Sequence, residues 1–283
     1  MRKRFKKIPF KNIAIVVLAL AVLGEGYYIY KLKSQKKIIP PPVKKEFVAR
    51  KIPKPHLKGK IAIVIDDCGY NRKHCDFLET VKSPLAISIL PKLPHSRDVA
   101  ECAHQNNKEV MLHLPMEPYE SFETYPDHYI LKTSMKRNEI ENLIDEFLAS
   151  TPHAIGVNNH TGSKATEDIR FMTIVFNALK KHGLFFVDSL VTDRSICRKL
   201  AQRMQFPFGQ RDIFLDNTNT RDYIESQFRK LAERADQAGW AIGICHDRAL
   251  SLQVLGEQIP RLESEGYRFI PVSQIIHAGP DGD

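Results

Sequence analysis

Short apolar runs alternate with helical segments along most of the chain after residue 60. Seven of these runs are apolar on both faces and are bounded by turn or polar residues, as strands of a covered parallel sheet are. They cover residues 61–65, 85–90, 109–112, 154–157, 184–187, 240–245 and 268–272. Strands that alternate with helices in this way predict an α/β fold with a parallel sheet.

Helical spacing is clearest in three segments between the runs. One covers residues 138–150, a second has Thr166 as its expected N-cap and ends before Gly183, and a third begins after Thr220 and ends at Gly239. Because no second core is apparent, the pattern predicts one domain. A distorted (β/α) barrel of about seven parallel strands is the favoured architecture, with a doubly wound sheet as the alternative.

Polar residues follow five of the seven predicted strands. The set is Asp66 and Asp67; His113, with Glu117 four residues later; Asn158, Asn159 and His160; Asp188 and Ser189; and His246 and Asp247. Active sites form at the carboxyl ends of the strands in such folds, which is why this set favours the barrel. Asp and His bind divalent ions such as zinc, while a second carboxylate can act as a base and a second histidine as an acid. The pattern therefore predicts metal-assisted hydrolysis.

The first 33 residues have the order of a membrane-directed segment. Six basic residues precede the apolar run 13–23, and three tyrosines close the segment by residue 30. We expect an uncleaved inner-membrane anchor, with a cytoplasmic basic tip and the remaining chain in the periplasm. A cleaved signal with a secreted domain is the alternative. Proline and lysine residues in 34–59 predict an extended linker before the domain at 60–277, and residues 278–283 form a short tail.

The net charge of +9 is unevenly distributed. Residues 1–60 carry 17 Lys and Arg against two acidic residues, so that segment has a charge of +15 and the rest of the chain −6. A mildly acidic domain does not attract nucleic acid electrostatically, which argues against a nucleic-acid partner. The sequence carries no signal for an oligomeric state.

Five cysteines in a domain of this size do not form the disulfide framework of a small secreted protein. Cys102 and Cys245 lie in apolar patterns and are expected to be core thiols. Cys68 and Cys75 are close enough in sequence to pair, and the sequence leaves that pairing open.

Several stretches resemble, in order and spacing, the polysaccharide deacetylases of the NodB-homology type. They are IAIVIDDCG, LAISILP, KEVMLHLPMEP and AIGICH, and with GVNNHTGS and FFVDS the chain is most similar to the divergent polysaccharide deacetylase subgroup. The resemblance covers residues 60–276. It implies a distorted (β/α) barrel, a divalent metal with zinc as the expected ion, and removal of acetyl groups from N-acetylated sugars. It also implies Asp66 as catalytic base, Asp67 as a metal ligand and His246 as catalytic acid.

The chain departs from this family at the motif His-x-x-x-His, which supplies two metal ligands. Glu117 stands four residues after His113, and Lys164 stands four residues after His160. We therefore expect Asp67, His113 and His160 to form the metal set, with Glu117 in reserve.

The family's Arg-x-Pro-Tyr motif has no clear counterpart, and Arg194 or Arg211 is expected to supply its cation. Asp188 is expected to act in catalysis, by orienting the base or binding sugar. Asn159, Ser189 and Arg194 are candidate metal or substrate contacts.

The leading hypothesis is a metal-dependent hydrolase that removes acetyl groups from N-acetylated polysaccharide of the cell envelope. Because the motif departures weaken the case for turnover, the alternative is a catalytically silent glycan-binding or envelope-organising protein on the same barrel. A third hypothesis is a metal-dependent phosphoesterase. The acidic domain favours a neutral N-acetylated glycan over a polyanionic polymer.

Overall fold

A computed structural model describes residues 10–34, 58–73, 75–120 and 126–277, and the chain divides into two units, residues 1–52 and 53–283. In the first unit, α1 (Phe10–Ser34) is a helix of 25 residues. Across the described ranges, no helix combines the length and the apolar character needed to cross a membrane. The predicted basic tip up to residue 9, most of the predicted linker and the predicted tail lie outside the described residues.

The second unit is built on a sheet in which every strand pairing is parallel. Its described strands are β1 (Lys60–Cys68), β2 (Ala86–Ile89), β3 (Glu109–Met116), β4 (Ala154–Thr161), β5 (Phe185–Asp188), β6 (Phe208–Gln210), β7 (Ile213–Phe214), β8 (Trp240–His246) and β9 (Arg268–Phe269). The order across the sheet is β6-β5-β4-β3-β2-β1-β8-β7, with β9 beside β1. This sheet curls into a half-barrel, which confirms the predicted distorted (β/α) barrel. The prediction missed β6 and β7 because runs of three and two residues carry no readable periodicity.

Helices follow most strands and cover the outer face of the sheet. They are α2 (Cys75–Thr80), α3 (Ser96–Gln105), α4 (Arg137–Ser150), α5 (Ile169–Lys181), α6 (Cys197–Met204), α7 (Arg221–Ala238), α8 (Ala249–Ser264) and α9 (Val272–His277). The expectation that Thr166 caps α5 is wrong. Asp168 accepts the cap hydrogen bond from the Phe171 backbone N at 2.8 Å, because Thr166 lies in a short 3₁₀ turn and donates to the Gly162 carbonyl.

The two faces of the sheet have different packing partners. On β1, Ile61, Ile63 and Ile65 belong to a core shared with the helices, whereas Ala62 and Val64 belong to the cluster inside the half-barrel. Helix α9 closes the amino-terminal end of that interior with Ile275 and Ile276. Glu109, at the start of β3, accepts the Val272 backbone N–H at 2.7 Å and fixes this helix. The interior is therefore closed at one end, and the carboxyl ends of the strands form the other.

A disulfide joins Cys75, at the start of α2, to Cys102 on α3. Cys68, Cys197 and Cys245 are buried free thiols. The structure thus decides against the pairing of Cys68 with Cys75, which the sequence left open. The expectation of a core thiol at Cys102 is wrong, because Cys102 is the partner of Cys75. Packing of α2 against α3 brings the two bonded cysteines together, and their 27-residue separation gave no indication of it.

We expect replacement of Cys75 and Cys102 by serine to lower the free energy of unfolding by about 3 to 4 kcal/mol, because the bridge closes a 27-residue loop in the unfolded chain. Urea unfolding of the wild type with and without dithiothreitol measures this effect. The double variant is the control, since reductant has no bridge to break in it. A wild type whose stability is insensitive to reductant contradicts the pairing.

Candidate active site

A cavity of about 400 Å³ opens at the carboxyl edge of the sheet. It is lined by side chains from the ends of β1, β3, β4, β5, β7 and β8, among them Asp66, Asp67, His113, Asn159, His160, Ser189, Phe214 and His246. The structure thus brings seven of the residues singled out from the sequence to one place.

Asp67, His113 and His160 form a compact group of metal-ligating atoms. Asp67 Oδ1 lies 3.2 Å from His113 Nε2 and 3.0 Å from His160 Nδ1, and the two ring nitrogens are 3.1 Å apart. These are the three residues expected to form the metal set, and the described part of the chain therefore contains a possible Asp/His/His metal site.

The chemistry of this group fits a divalent cation. Two imidazole nitrogens and one carboxylate oxygen are a donor set that zinc accepts in catalytic sites with three protein ligands. Asp67 Oδ1 is buried and accepts no well-aligned hydrogen bond, as expected of an atom that faces a cation. Metal binding itself stays a prediction.

The electrostatics of the group also favour positive charge. Burial alone would raise the pKa of Asp67, but His113 and His160 hold it well below its ordinary value. Burial alone would lower the pKa of His113, whereas the carboxylates of Asp66 and Asp67 raise it to about 9. The group thus stabilises a proton on a buried imidazole, and a metal ion bound there would take that proton's place.

Asp67 reaches the cavity because the backbone of β1 is irregular at its end. The pairing of β1 with β2 shifts register between Ile65 and Cys68, and Asp67 adopts a left-handed conformation with φ of 61°. Regular alternation would direct Asp66 and Asp67 to opposite faces of the sheet. The irregularity re-aims Asp67, so both carboxylates serve one site.

Asn158 is the buried centre of the hydrogen-bond network beneath the cavity. Its side-chain oxygen accepts from Ser88 Oγ and from His113 Nδ1, the latter at 2.9 Å. Its amide nitrogen donates to Asp66 Oδ1 at 2.8 Å and to Ser189 Oγ at 3.2 Å. The bond to Nδ1 leaves Nε2 of His113 directed at Asp67, and the bond to Asp66 fixes the orientation of that carboxylate. One side chain therefore positions both a candidate ligand and the candidate base.

From the sequence, Asn158 was one of the polar residues after the predicted strand 154–157 but received no role, whereas Asn159 was selected as a candidate contact. Asn159 accepts the Ser189 backbone N–H at 2.8 Å and donates to the Thr161 carbonyl at 2.8 Å, so it lines the cavity and fixes the chain after β5. Strand alternation carries the missed signal, because Asn158 shares a face of β4 with His160.

His246 lies on the wall of the cavity that β8 forms beside β1, and it is held by Asp216, which was not singled out from the sequence. Asp216 Oδ1 lies 2.7 Å from His246 Nδ1, and Asp216 Oδ2 accepts from the His246 backbone N at 2.9 Å and from Ser251 Oγ at 2.5 Å. Burial alone would lower the pKa of His246, but the buried Asp216 carboxylate raises it. Asp216 follows the apolar run 213–215, and that run was too short to be recognised as a strand.

Arg211 is the candidate cation that lies near this wall. Its guanidinium stacks 3.9 Å from the ring centre of Phe214, whose other neighbour is the nearly parallel ring of His246 at 5.8 Å. Arg211 also donates to the backbone carbonyls of Ser189 and Leu190 at 2.7 and 3.0 Å. Arg194 is instead exposed and paired with Glu167 at 3.0 Å.

The structure does not bring Asp188 to the cavity. Its carboxylate accepts from the Leu190 backbone N at 2.8 Å and from Ser195 Oγ at 2.6 Å. On β5, Phe185 and Val187 face the interior, so Asp188 falls on the outer face with Phe186. The expected role of Asp188, in orienting the base or binding sugar, stays a prediction.

Glu117, the reserve ligand, is not part of the metal-type group. It forms an ion pair of 2.7 Å with Lys164 and accepts hydrogen bonds from the backbone N and side chain of Thr133. Glu117 and Lys164, which follow His113 and His160 by four positions, therefore neutralise each other's charge. Each site histidine comes from a different strand instead of from one motif.

Comparison with known proteins identifies the relatives of this chain. Residues 63–276 match the family model described as divergent polysaccharide deacetylase. The uncharacterised protein YibQ of Escherichia coli K12 is 33% identical over 208 residues, which are 74% of this chain and 65% of that protein. An uncharacterised protein of Haemophilus influenzae is 31% identical over 198 residues, 70% of each chain. Less than two thirds of the E. coli protein's length is thus covered.

A solved structure with the same fold is that of the uncharacterised protein ATU2773 from Agrobacterium tumefaciens C58. It superposes with a TM-score of 0.72 at 20% identity and covers 77% of this chain and 89% of that one.

We expect the full-length chain to bind zinc, and Asp67→Ala to abolish that binding because it removes a donor. Asn158→Ala should weaken binding by roughly 10- to 100-fold, because His113 loses the partner that orients its ring. Isothermal titration of metal-free protein with zinc measures both effects.

Two variants serve as controls for this titration. Asn159→Ala changes the neighbouring amide without touching His113, and Glu117→Gln changes a carboxylate that faces Lys164, so both should retain wild-type affinity. Equal zinc affinity in the wild type and Asp67→Ala would remove the ligand assignment. Equal affinity in Asn158→Ala and Asn159→Ala would remove the role of Asn158.

Proposed function

The chain belongs to the divergent polysaccharide deacetylase family, and from this premise we propose that it is a zinc-dependent hydrolase that removes acetyl groups from N-acetylated polysaccharide of the cell envelope. The observation that carries the proposal is the convergence on one cavity of three types of group. A metal-type set lies beside a buried carboxylate, Asp66. His246, which is paired with a carboxylate of its own, lies next to Asp66 in the register of β1 and β8.

The residues support distinct roles in amide hydrolysis. Asp67, His113 and His160 would hold the divalent cation, which supplies Lewis acidity toward water and the acetyl oxygen. Asp66 accepts a proton from the attacking water as a new carbon–oxygen bond forms. His246 gives its proton to the sugar nitrogen as the carbon–nitrogen bond breaks, so acetate and a free amino sugar are the products.

Local interactions suit these two side chains to their roles. Burial raises the pKa of Asp66, which makes its carboxylate a better proton acceptor than an exposed one. Asp216 favours the protonated form of His246, the form that an acid must have before the bond breaks. The two side chains stand on neighbouring strands, because Asp66 and His246 are partners in the register of β1 and β8.

The same geometry argues against the silent glycan-binding alternative. That alternative was motivated by the incomplete His-x-x-x-His motif. Since His113 and His160 meet at 3.1 Å, the departure from the motif does not remove a histidine from the group.

We expect the zinc-loaded chain to release acetate from chitooligosaccharides or peptidoglycan, and Asp66→Asn to lower kcat by roughly 10²- to 10⁴-fold while it retains zinc. Enzymatic measurement of free acetate checks this. Asp98→Asn, the same change at a partly exposed site on α3, is the control and should keep wild-type activity. A wild type that holds zinc and releases no acetate would favour the silent alternative, and release of phosphate alone from phosphoester substrates would favour the phosphoesterase.

We also propose that the second unit lies in the periplasm, with the N-terminal segment directing the chain to the inner membrane. The basic tip followed by an apolar run supports this location. The disulfide between Cys75 and Cys102 supports an oxidising compartment, since such bridges are rare in the cytosol.

Fractionation of cells that produce the full-length chain should place it in the envelope, with Cys75 and Cys102 inaccessible to thiol alkylation until reductant is added. Release of a shortened chain into the soluble periplasm would indicate a cleaved signal. A cytosolic chain with both thiols reduced contradicts the proposal.

A further inference from the structure

We propose that Tyr119, together with Arg194, forms a binding subsite for the sugar next to the one in the cavity, so that the substrate is a chain of sugars and not a single unit. This inference rests on the proposed function, because it assigns the neighbouring units of that same substrate.

The size of the cavity favours such a surface. Its volume of about 400 Å³ lies at the lower end of the range for ligand pockets, which is small for an oligomer. The other units of a polymer must then lie on the rim, and their contacts must come from exposed side chains beside the opening.

Tyr119 stands on that rim. It is 58% exposed, and it follows Pro118, which lines the cavity. Its backbone N donates at 3.1 Å to the hydroxyl of Ser163, another lining residue. A single exposed aromatic residue is ordinary on a protein surface, so exposure alone does not identify a site. The contacts that fix the orientation of this ring are what identify it as a candidate binding surface.

Glu167 fixes the ring at its far end. Its Oε2 accepts the Tyr119 hydroxyl at 2.8 Å, and its Oε1 accepts Thr192 Oγ1 at 2.9 Å and Arg194 Nε at 3.0 Å. The Arg194 guanidinium lies 5.6 Å from the centre of the ring. Thr192 follows Val191, which lines the cavity. The ring therefore reaches from the loop after β3 to Glu167 after β4, and Glu167 joins it to Thr192 and Arg194 in the loop after β5.

The backbone that carries Tyr119 is held from below. Glu117 N donates to the Leu131 carbonyl and the Glu117 carbonyl accepts from Ala165 N, both at 3.0 Å. The Glu117 side chain pairs with Lys164 at 2.7 Å. Glu117 and Lys164, which lie outside the metal-type group, thus join the chain after β3 to the chain after β4.

A fixed amphipathic surface is what a sugar chain needs on a rim. The ring offers an apolar face to the C–H groups of a pyranose at little cost in side-chain entropy, because its orientation is set before binding. Arg194 is 68% exposed in its side chain and carries further N–H donors for hydroxyl or acetamido oxygens. The chemistry points to an N-acetylated oligosaccharide of at least two units.

The test compares N-acetylglucosamine with its tetramer as ligands of the full-length, zinc-loaded chain, with Asp66→Asn present to block turnover. We expect the tetramer to bind more tightly than the monomer. Tyr119→Ala should weaken tetramer binding by roughly 2- to 12-fold and leave monomer binding and zinc content unchanged, because only the rim contact is lost. Tyr119→Phe should restore most of the difference, since it keeps the ring. Isothermal titration measures each affinity.

Ile155→Ala is the matched control, since it removes an exposed apolar side chain at the opposite end of β4 and should leave both affinities unchanged. Equal tetramer affinity in Tyr119→Ala and its parent overturns the subsite and leaves the proposed function intact. Parallel loss of monomer and tetramer binding overturns it too, because the residue then acts in the cavity itself. A chain that binds neither sugar overturns both proposals.

Discussion

Alternation along parallel strands is the constraint on which the rest of the structure depends. Successive residues of a strand face opposite sides of the sheet, and in a curled sheet only one of those sides faces the interior. Side chains in phase with the interior line the cavity at the carboxyl edge or form the hydrogen-bond network beneath it. Each follows an inward-facing strand position by two residues. The pairs are Val64 and Asp66, Ala86 and Ser88, Met111 and His113, Gly156 and Asn158, Val187 and Ser189, and Ile244 and His246. Asp188 is out of phase by one residue and does not line the cavity.

Charge is the second constraint, because the site holds two carboxylates with little access to water. A buried charge is tolerated only where it is paired or hydrogen-bonded. Asn158 meets this requirement for Asp66 with a neutral donor, and the two histidines meet it for Asp67. The left-handed backbone of Asp67 is the strained element of the arrangement, and the network around it holds that strain in place. Asp67, His113 and His160 thus present the donor atoms that a divalent cation would require.

The site residues at the strand ends could be predicted from the sequence, whereas the residues that hold them in place could not. Asp66, Asp67, His113, His160 and His246 all follow long apolar runs, which is why local pattern was enough to find them. Asp216 was not identified because the strand before it has only two residues. Asn158 received no role because strand alternation was not used to decide which polar residues face the interior. Glu117 and Lys164 were compared with a histidine motif as separate alternatives, although their charges meet across two strands at 2.7 Å. Each of these misses concerns a partner that lies far away in sequence.

Local pattern and composition were enough to predict the alternation of strands and helices, the edge of the sheet that carries the candidate site, and the separation of a basic front segment from an acidic domain. These properties need no knowledge of distant contacts. The fold was needed to show that histidines from two different motifs meet at Asp67, that Cys75 bonds Cys102, and that Tyr119 is held beside the cavity. The physical reason is that spacing along a chain sets which face a residue takes, whereas distances between separate strands and helices are set by how their buried faces pack.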